Sequence, residues 1–343
     1  MNIQKFQDEY IINILNSDTP WCWTGLSYNI TWKVIEDHRD KPWNFCELSS
    51  NPNITWEIIK NNKDKPWDFD ELSCNPNITW EIVQENPDKP WDFIGLSCNP
   101  NITWEIVQQN PDKQWDFSGL SSNPSITWNI INNNRDKPWD WDEISMNPNI
   151  TWEIIKDNKD KPWEWNGMMS YNMNITWDFI KNNLDKPWNW RGLSYNQNIT
   201  WAVIEANLDK PWHWNGISCN PDITWDIICA NPDKPWNWYG VSLNPNITWN
   251  IINNNQDKPW DWYGISSNPN ITWNIINNNR DKPWDWYGIS RNQNILEIPD
   301  DMLIKRSIQY FAVKKIFRYW FRCITDPSYV ICRKRLLREL LSD

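Results

Sequence analysis

The chain has few of the residues that most catalytic and metal sites require. Its 343 residues include only 2 His, and its 8 Cys show no Cys-x-x-Cys spacing. Two His cannot complete a common His-containing zinc site, and scattered Cys argue against a zinc fold or a disulfide framework. The sequence also has no Gly-rich phosphate loop and no nucleophile elbow. We therefore predict that the protein is not an enzyme and has no catalytic residue, cofactor or metal.

Long apolar segments and an excess of positive charge are missing as well. No run of 18 apolar residues occurs, and Lys5, Asp8 and Glu9 interrupt the first 16 residues, where a signal peptide would be apolar. Asp and Glu outnumber Lys and Arg by 44 to 33, which gives a formal charge of -11. General nucleic-acid binders have a basic surface instead. We predict a cytoplasmic chain that binds neither membranes nor nucleic acid.

What the chain has in abundance is tryptophan, and it is arranged in a repeat. Ile-Thr-Trp occurs eleven times between Ile30 and Ile271 at steps of 24 residues, with a single step of 25. Pro-Trp recurs at the same period from Pro20 to Pro283, and Gln114 takes the Pro position once. Twelve units fit residues 17–294, and of the 32 Trp only Trp320 lies outside them. Such a period is typical of solenoid proteins.

Each unit contains signals for two short helices. In residues 54–77, Thr55 comes before an apolar run, which predicts a helix whose first N–H groups bond to the Thr hydroxyl. A second helix is predicted with Asp64 as its cap and Pro66 in its first turn. About eight residues leave room for a short α-helix or a three-ten helix. Asn-Pro-Asn, around Pro76, then turns the chain.

Two short helices cannot bury their apolar sides alone, so each unit must pack against its neighbours through inward-facing indoles. The predicted fold is all-α: a rod-like superhelical solenoid of about twelve 24-residue units. We predict an N-terminal capping helix over residues 1–16, the solenoid over 17–294, and a basic helical cap or tail over 295–343. A β-helix or a leucine-rich horseshoe has a similar period, but each needs a strand in every coil.

The segment Leu72–Val83 (LSCNPNITWEIV) resembles the leucine-rich variant repeat, in which an Asn-Pro-Asn turn also precedes a Thr-capped helix. The resemblance covers residues 17–294 and implies alternating α and three-ten helices in a right-handed superhelix. The chain departs from it by replacing much Leu with Trp and by adding Asp-Lys-Pro-Trp. Some members hold an iron-sulfur cluster on grouped N-terminal Cys, but Cys22 and Cys46 form no such group, so that property is not expected here.

The Asn-rich and Trp-rich composition also resembles tandem-repeat proteins of giant viruses that infect amoebae. That resemblance implies a viral source and a place in the host cytoplasm, but no activity. We predict a repeat scaffold that binds an unidentified protein partner. The oligomeric state and virion incorporation stay open.

One position of the repeat changes from unit to unit, as expected for a row that contacts a partner. The candidate partner-facing residues are Lys60, Gln84, Gln108, Asn132, Lys156, Lys181, Glu205, Asn253 and Asn277.

Two alternatives stay open. The Trp ladder would bind glycans or single-stranded nucleic acid if its rings were exposed. The tail, residues 296–343, holds ten Lys or Arg against six Asp or Glu and resembles IQ-type helices that bind calmodulin-like proteins. Its candidate binding residues are Ile308, Gln309, Lys315, Arg318, Trp320 and Arg322.

Other recurring side chains have structural explanations. Asn-Ile-Thr occurs nine times as a glycosylation sequon, but the pattern is better explained as a turn followed by a helix cap. Cys74, which shares its repeat position with Ser50 and Met146, is predicted to fill space rather than to act as a nucleophile. The stems of Lys41, Lys65 and Lys89 are predicted to cover neighbouring indoles.

Overall fold

The computed structural model describes residues 3–16 and 19–296. All regular elements in these two ranges are helical, which confirms the all-α solenoid of short paired helices. Residues 18–295 form one compact unit, and residues 1–17 and 296–343 are assigned to a second unit. In the second unit, α1 spans Ile3–Leu15. The capping roles of the two terminal segments stay predictions.

The repeat unit alternates two kinds of helix, mostly of six residues. We number the repeats 1 to 12 by their Pro-Trp positions. The helix that follows each Pro-Trp is the Pro-Trp helix, and the one that begins at the Trp of Ile-Thr-Trp is the Ile-Thr-Trp helix. The Pro-Trp helices are α2 (Trp23–Ser27), α4 (Phe45–Ser50), α6 (Phe69–Cys74), α8 (Phe93–Cys98), α10 (Phe117–Ser122), α12 (Trp141–Met146), a three-ten helix (Met168–Tyr171), α15 (Trp190–Tyr195), α17 (Trp214–Cys219), α19 (Trp238–Leu243), α21 (Trp262–Ser267) and α23 (Trp286–Arg291).

The Ile-Thr-Trp helices are α3 (Trp32–Asp37), α5 (Trp56–Asn61), α7 (Trp80–Glu85), α9 (Trp104–Gln109), α11 (Trp128–Asn133), α13 (Trp152–Asp157), α14 (Trp177–Lys181), α16 (Trp201–Glu205), α18 (Trp225–Ala230), α20 (Trp249–Asn254) and α22 (Trp273–Asn278). A three-ten turn, Gln293–Leu296, ends the described residues. The Pro-Trp helices are thus α-helical, not three-ten, except in repeat 7. There the extra residue of the 25-residue step falls beside Gly167.

The Thr of Ile-Thr-Trp lies at the helix start as predicted, but in most repeats its hydroxyl does not accept a hydrogen bond from the helix N–H groups. Thr55 has the extended backbone of an N-cap residue, yet its side chain bonds to no helix N–H, and only Thr224 makes that bond among these caps, at 3.4 Å. The Thr79 hydroxyl hydrogen-bonds the Glu81 carboxylate instead. That bond, after one to the Glu81 backbone N–H, lowers the pKa of Glu81.

The predicted cap of the Pro-Trp helix was wrong by four residues. Asp68, not Asp64, accepts hydrogen bonds from the N–H groups of Asp70 and Glu71, at 3.0 and 3.2 Å. Asp64 is exposed and pairs with Lys65 at 3.2 Å. Pro66 therefore precedes the helix rather than starting it, because the chain stays extended until the cap.

A buried Ser in each repeat bonds the repeat to the next one. The Ser73 hydroxyl donates to the Phe69 carbonyl at 2.7 Å and accepts the backbone N–H of Asp92, in the next repeat, at 2.9 Å. The same bridge links every consecutive pair of repeats from 1 to 12. Each bridge satisfies an N–H that the short helix leaves unpaired.

A buried Asn forms a second bond between repeats. The side-chain amide of Asn268 donates to the carbonyls of Ser242, Asn244 and Ile247, at 2.8, 3.0 and 3.2 Å. Its oxygen accepts the N–H of Asn270 at 2.8 Å. This ladder runs from Asn51 in repeat 2 to Asn292 in repeat 12. Repeat 1 has no ladder Asn, since its turn is two residues shorter.

The tryptophans hold the layers together, and none of the 31 in the described residues is fully exposed. Trp284 packs against Trp249 and Trp262 of the preceding units, with ring centroids 5.6 and 5.2 Å away. Its Nε1–H donates to the Asn279 carbonyl at 2.8 Å. The corresponding Trp of each repeat from 2 to 11 donates the same bond. The predicted inward orientation of the indoles is confirmed.

The array does not extend as an open rod, because repeat 1 packs against repeat 12. The Cys22 N–H donates to the Ser290 hydroxyl at 3.0 Å, which is the bridge that joins consecutive repeats elsewhere. Trp21 lies 5.3 Å from Trp273 and 5.6 Å from Trp286, and so takes the place of the next Pro-Trp indole. The twelve repeats thus form a closed ring, in which repeat 1 follows repeat 12 as any repeat follows the one before it.

The hydrogen bonds of the Asn ladder are buried, so replacing one ladder Asn tests how much they contribute to the free energy of unfolding. Asn268→Leu leaves three carbonyls and one N–H without their partner, and we expect it to lower the free energy of unfolding by about 2–4 kcal/mol. Chemical denaturation followed by circular dichroism measures the change. Asn250→Leu, at an exposed position of α20, is the control. Equal losses in the two variants would contradict a role for the ladder.

Closure is tested by energy transfer between dyes on Thr24 and Asn274, which are both exposed. Thr24 is three residues from Trp21 and Asn274 is next to Trp273, and those two indoles are in contact across the seam. A closed array predicts near-complete transfer. An open array would separate repeats 1 and 12 by roughly 100 Å at about 8–10 Å per packed helix, and transfer would be weak. Trp21→Ala removes the indole that fills the seam and should lower the transfer.

Candidate interaction surfaces

The predicted partner-facing row lies on the Ile-Thr-Trp helices and is accessible. We call it the Ile-Thr-Trp row. All its members are exposed except Asn132, which is half-buried. The Asn132 side-chain oxygen accepts a hydrogen bond from the Arg135 guanidinium, and Asn277 accepts one from Arg280 in the same way. The row has the accessibility that a binding surface needs, and its role stays a prediction.

The structure reveals a second exposed row, which we call the Pro-Trp row. It consists of two positions in or next to each Pro-Trp helix: the one after the first aromatic residue and the one after the buried Ser. Each Pro-Trp helix packs directly against the next. In a ring of paired helices, the helices that lie closest to one another form the inner layer, which here is the layer of Pro-Trp helices. The sequence does show the variation at these positions, as in Ile94 and Arg191, but not that both positions of successive repeats line up on one face.

One arc of the Pro-Trp row, in repeats 7 to 12 and 1, is rich in tyrosine and arginine. We call these residues the Tyr/Arg arc: Tyr171, Arg191, Tyr195, Tyr239, Tyr263, Tyr287, Arg291 and Tyr28. Five of the tyrosines are 37–45% exposed. The arc therefore offers a tyrosine to a partner in six of these seven repeats, and repeat 9 has Asn215 and Cys219 at the two positions instead.

Contacts within the Tyr/Arg arc hold its rings in place. Tyr239 and Tyr263 stack with centroids 6.0 Å apart. Burial, and then the neighbouring Tyr263, raises the pKa of Tyr239, so its hydroxyl stays protonated. The Arg291 guanidinium lies over Tyr28 and Tyr287, at 5.4 and 5.7 Å, and donates to the Tyr287 hydroxyl at 2.9 Å. Since Tyr28 belongs to repeat 1, Arg291 joins the arc across the seam.

The opposite arc of the row is acidic and contains thiols. Its charged members are Asp70 and Asp142, and Glu47, Glu71 and Glu143 add negative charge from the third position of the helices in repeats 2, 3 and 6. Burial, and then the negative charges of Asp68, Glu47 and Asp70, raises the pKa of Glu71. The Pro-Trp row thus has two chemically distinct halves, although its helices are built alike.

The sequons and the histidines are used by the fold. The Asn77 side-chain amide donates to the carbonyls of Pro52 and Ile54, at 2.7 and 3.1 Å, and most other sequon Asn make the same bonds. His38 is buried and bonds the Val34 carbonyl at 3.0 Å, at the repeat position where other units have Asn. His213 caps α17 by accepting the Gly216 N–H.

Three further predictions concern lysines, metals and membranes. Lys41 lies over the Trp23 ring at 5.7 Å, as predicted, and it also pairs with the preceding Asp40 at 3.0 Å, as Lys65 and Lys89 pair with Asp64 and Asp88. In the part of the chain that the structure describes, no three His, Cys, Asp or Glu are placed to hold a metal ion. No described helix has the length and apolar character to span a bilayer. The candidate tail-helix residues, Ile308 to Arg322, lie outside the described ranges.

Comparison of the chain with protein-family models, with curated proteins and with solved structures finds no match.

Cys74 and Cys98 of the acidic arc are exposed residues, but their sulfur atoms pack against the following repeat. A Cβ atom placed on Gly95 would lie 2.9 Å from the Cys74 sulfur, and Gly119 is as close to Cys98. Burial raises the pKa of Cys74 from 9.0 to about 11, with smaller contributions from Cys98 and Glu71. This supports the prediction that these Cys fill space.

We expect native Cys74 to alkylate slowly. A pKa of about 11 leaves roughly 100-fold less thiolate at pH 8 than a pKa of 9.0 would, and higher intrinsic nucleophilicity recovers only about tenfold of that. Iodoacetamide should thus modify Cys74 about tenfold more slowly in the folded than in the urea-unfolded chain, with the rate rising up to about pH 11. Mass spectrometry of the modified peptide measures both rates, and equal rates would contradict the shift.

Proposed function

We propose that the protein is a non-enzymatic repeat scaffold that binds a protein partner, and that the Tyr/Arg arc is its principal binding surface. The observation that carries the proposal is an arc of six tyrosines in repeats 7, 8, 10, 11, 12 and 1, five of them exposed, with ring stacking and Arg291 to hold them in place. Tyr and Arg are enriched among the residues that dominate binding energy at protein interfaces. Because their rings are already ordered, binding would cost little side-chain entropy.

The Pro-Trp row supports a directional binding mode. Its Tyr/Arg arc and its acidic arc differ in charge, and complementary charge fixes the orientation of a partner more than its affinity. Arg291 stands where the arcs meet, since Glu47 of repeat 2 contributes to raising the pKa of Arg291 after Tyr287. A partner with an apolar segment beside a basic one would match both halves.

The other candidate functions have less support in the described residues. Glycan or nucleic-acid binding by the Trp ladder requires exposed indoles, whereas these are buried or half-buried. Partner binding by the tail rests on sequence alone. A leucine-rich variant-like origin is proposed from the shared 24-residue period and Asn-Pro-Asn turn, and a viral source acting in the host cytoplasm from the Asn-rich and Trp-rich composition.

The two exposed rows are separated by matched triple variants. Tyr239→Ser, Tyr263→Ser and Tyr287→Ser place in the arc the residue that Ser118 already occupies in repeat 5, so the fold should be kept. Glu205→Ser, Asn253→Ser and Asn277→Ser change the Ile-Thr-Trp row equally. Partners captured from the natural cell are quantified for each variant by mass spectrometry, and binding of the captured protein is then measured with purified components.

We expect the tyrosine variant to weaken binding of that protein at least about tenfold, because hot-spot truncations each cost roughly 1–2 kcal/mol or more. The control should bind like the unaltered protein. If only the control loses the partner, the binding surface is the Ile-Thr-Trp row instead. If neither loses it, both surfaces are excluded and the tail becomes the candidate.

A further inference from the structure

A cleft on the Ile-Thr-Trp side of repeats 2 and 3 combines aromatic walls with a cluster of cations. Its volume is about 310 Å³, and its lining includes Trp56, Trp67, Phe69, Lys60, Lys63 and the ion pair of Lys89 with Asp88. The three rings are half-buried, so part of each ring faces the cleft. A volume of this size is at the lower end of the range for small-molecule sites, roughly 300–1,000 Å³.

Two of the lysines are free to neutralise a ligand. Lys65 and Lys89 pair with Asp64 and Asp88, at 3.2 and 3.0 Å. Lys60 and Lys63 form no ion pair with the described residues. The positive charge of Lys63 still reaches the cleft, since it contributes, after the Lys89 hydrogen bond, to lowering the pKa of Asp88.

The preceding repeat contains a sister cleft that differs in charge. It has about 280 Å³ and is lined by Trp32, Trp43 and Phe45, in the same order along the chain. Glu36 and Arg39 stand at the positions of Lys60 and Lys63, and they pair with each other at 3.5 Å. The aromatic walls are thus shared by both clefts, but the unpaired cations belong to the cleft of repeats 2 and 3.

We infer that the cleft between repeats 2 and 3 binds a small aromatic anion, such as an aromatic phosphate, sulfonate or carboxylate. The ring of the ligand packs against the indoles and Phe69, and its anionic group lies between the Lys60 and Lys63 ammonium groups. Aromatic packing and charge neutralisation act together in this cleft. Neither the ring nor the anionic group of the ligand would lose all of its bound water if it bound without the other. The site is independent of the Tyr/Arg arc, which is on the other helix layer of other repeats.

The repeat itself supplies substitutions that the fold accepts. Gln occupies the position of Lys60 in repeats 3 and 4, as Gln84 and Gln108, and Gln256 occupies the position of Lys63 in repeat 10. Lys60→Gln with Lys63→Gln therefore removes both cations without a new type of side chain. Arg135→Gln with Arg280→Gln removes two positive charges from the Lys63 position of other repeats and is the matched control.

Phenyl phosphate is the probe, and calorimetry on the full chain measures its affinity. We expect it to bind at least about tenfold more tightly than inorganic phosphate, which lacks the ring, or phenol, which lacks the charge. The double Lys variant should weaken phenyl phosphate about tenfold or more and leave phenol unchanged, whereas the Arg control should bind like the unaltered chain. Higher salt should weaken the phosphate ester only.

Three outcomes would overturn the inference. Phenyl phosphate could fail to bind, it could bind no better than inorganic phosphate, or the Arg control could lose as much affinity as the Lys variant. The last result would mean that the probe responds to net charge alone. Circular dichroism of all variants confirms that the fold is kept before the affinities are compared.

Discussion

A helix of six residues cannot satisfy its own backbone, and this constraint explains the rest of the structure. The first four N–H groups and the last four carbonyls of any α-helix have no partner within it, so in so short a helix unpaired groups outnumber paired ones. Burying them without partners would cost several kcal/mol per repeat. In this chain the unpaired backbone groups form hydrogen bonds with the cap side chains of the same helix and with side chains of the neighbouring repeat.

The buried Ser and Asn of each repeat are therefore as structural as the indoles. The Ser hydroxyl accepts an N–H from the next repeat, and the ladder Asn donates to carbonyls of the preceding one. A fully buried indole adds roughly 4–6 kcal/mol of gross burial at about 25 cal/mol per Å², and a half-buried one adds less. The indoles supply attraction without a preferred register. The hydrogen bonds fix the register, because they form at only one alignment of neighbouring repeats.

Much of this architecture follows from the sequence, and the exceptions have physical reasons. The period and the apolar Ile-Thr-Trp pattern identify paired short helices, since both are local. The cap was misplaced because Asp64 and Asp68 flank the same Pro-Trp, and only the extended backbone between them shows which one starts the helix. The sequence predicted a rod and not a closed ring, because ring closure depends on the small rotation between neighbouring repeats, added up over all twelve. No single repeat encodes that sum.

The seam shows how a closed array forms from repeats that are not all equal. Repeat 1 keeps the serine bridge and the indole contacts with repeat 12, but it has no ladder Asn, and Trp21 Nε1 is buried without a hydrogen-bond partner among the described residues. Arg291 compensates by contacting Tyr28 across the seam.

The proposed binding surface and the closing contact thus share a residue, Arg291. A partner that engages Tyr28 and Tyr287 binds both sides of the seam at once, so its binding energy favours the closed state over the open one. By the same linkage, any change that weakens closure lowers the affinity for that partner, even where it touches no residue of the binding surface.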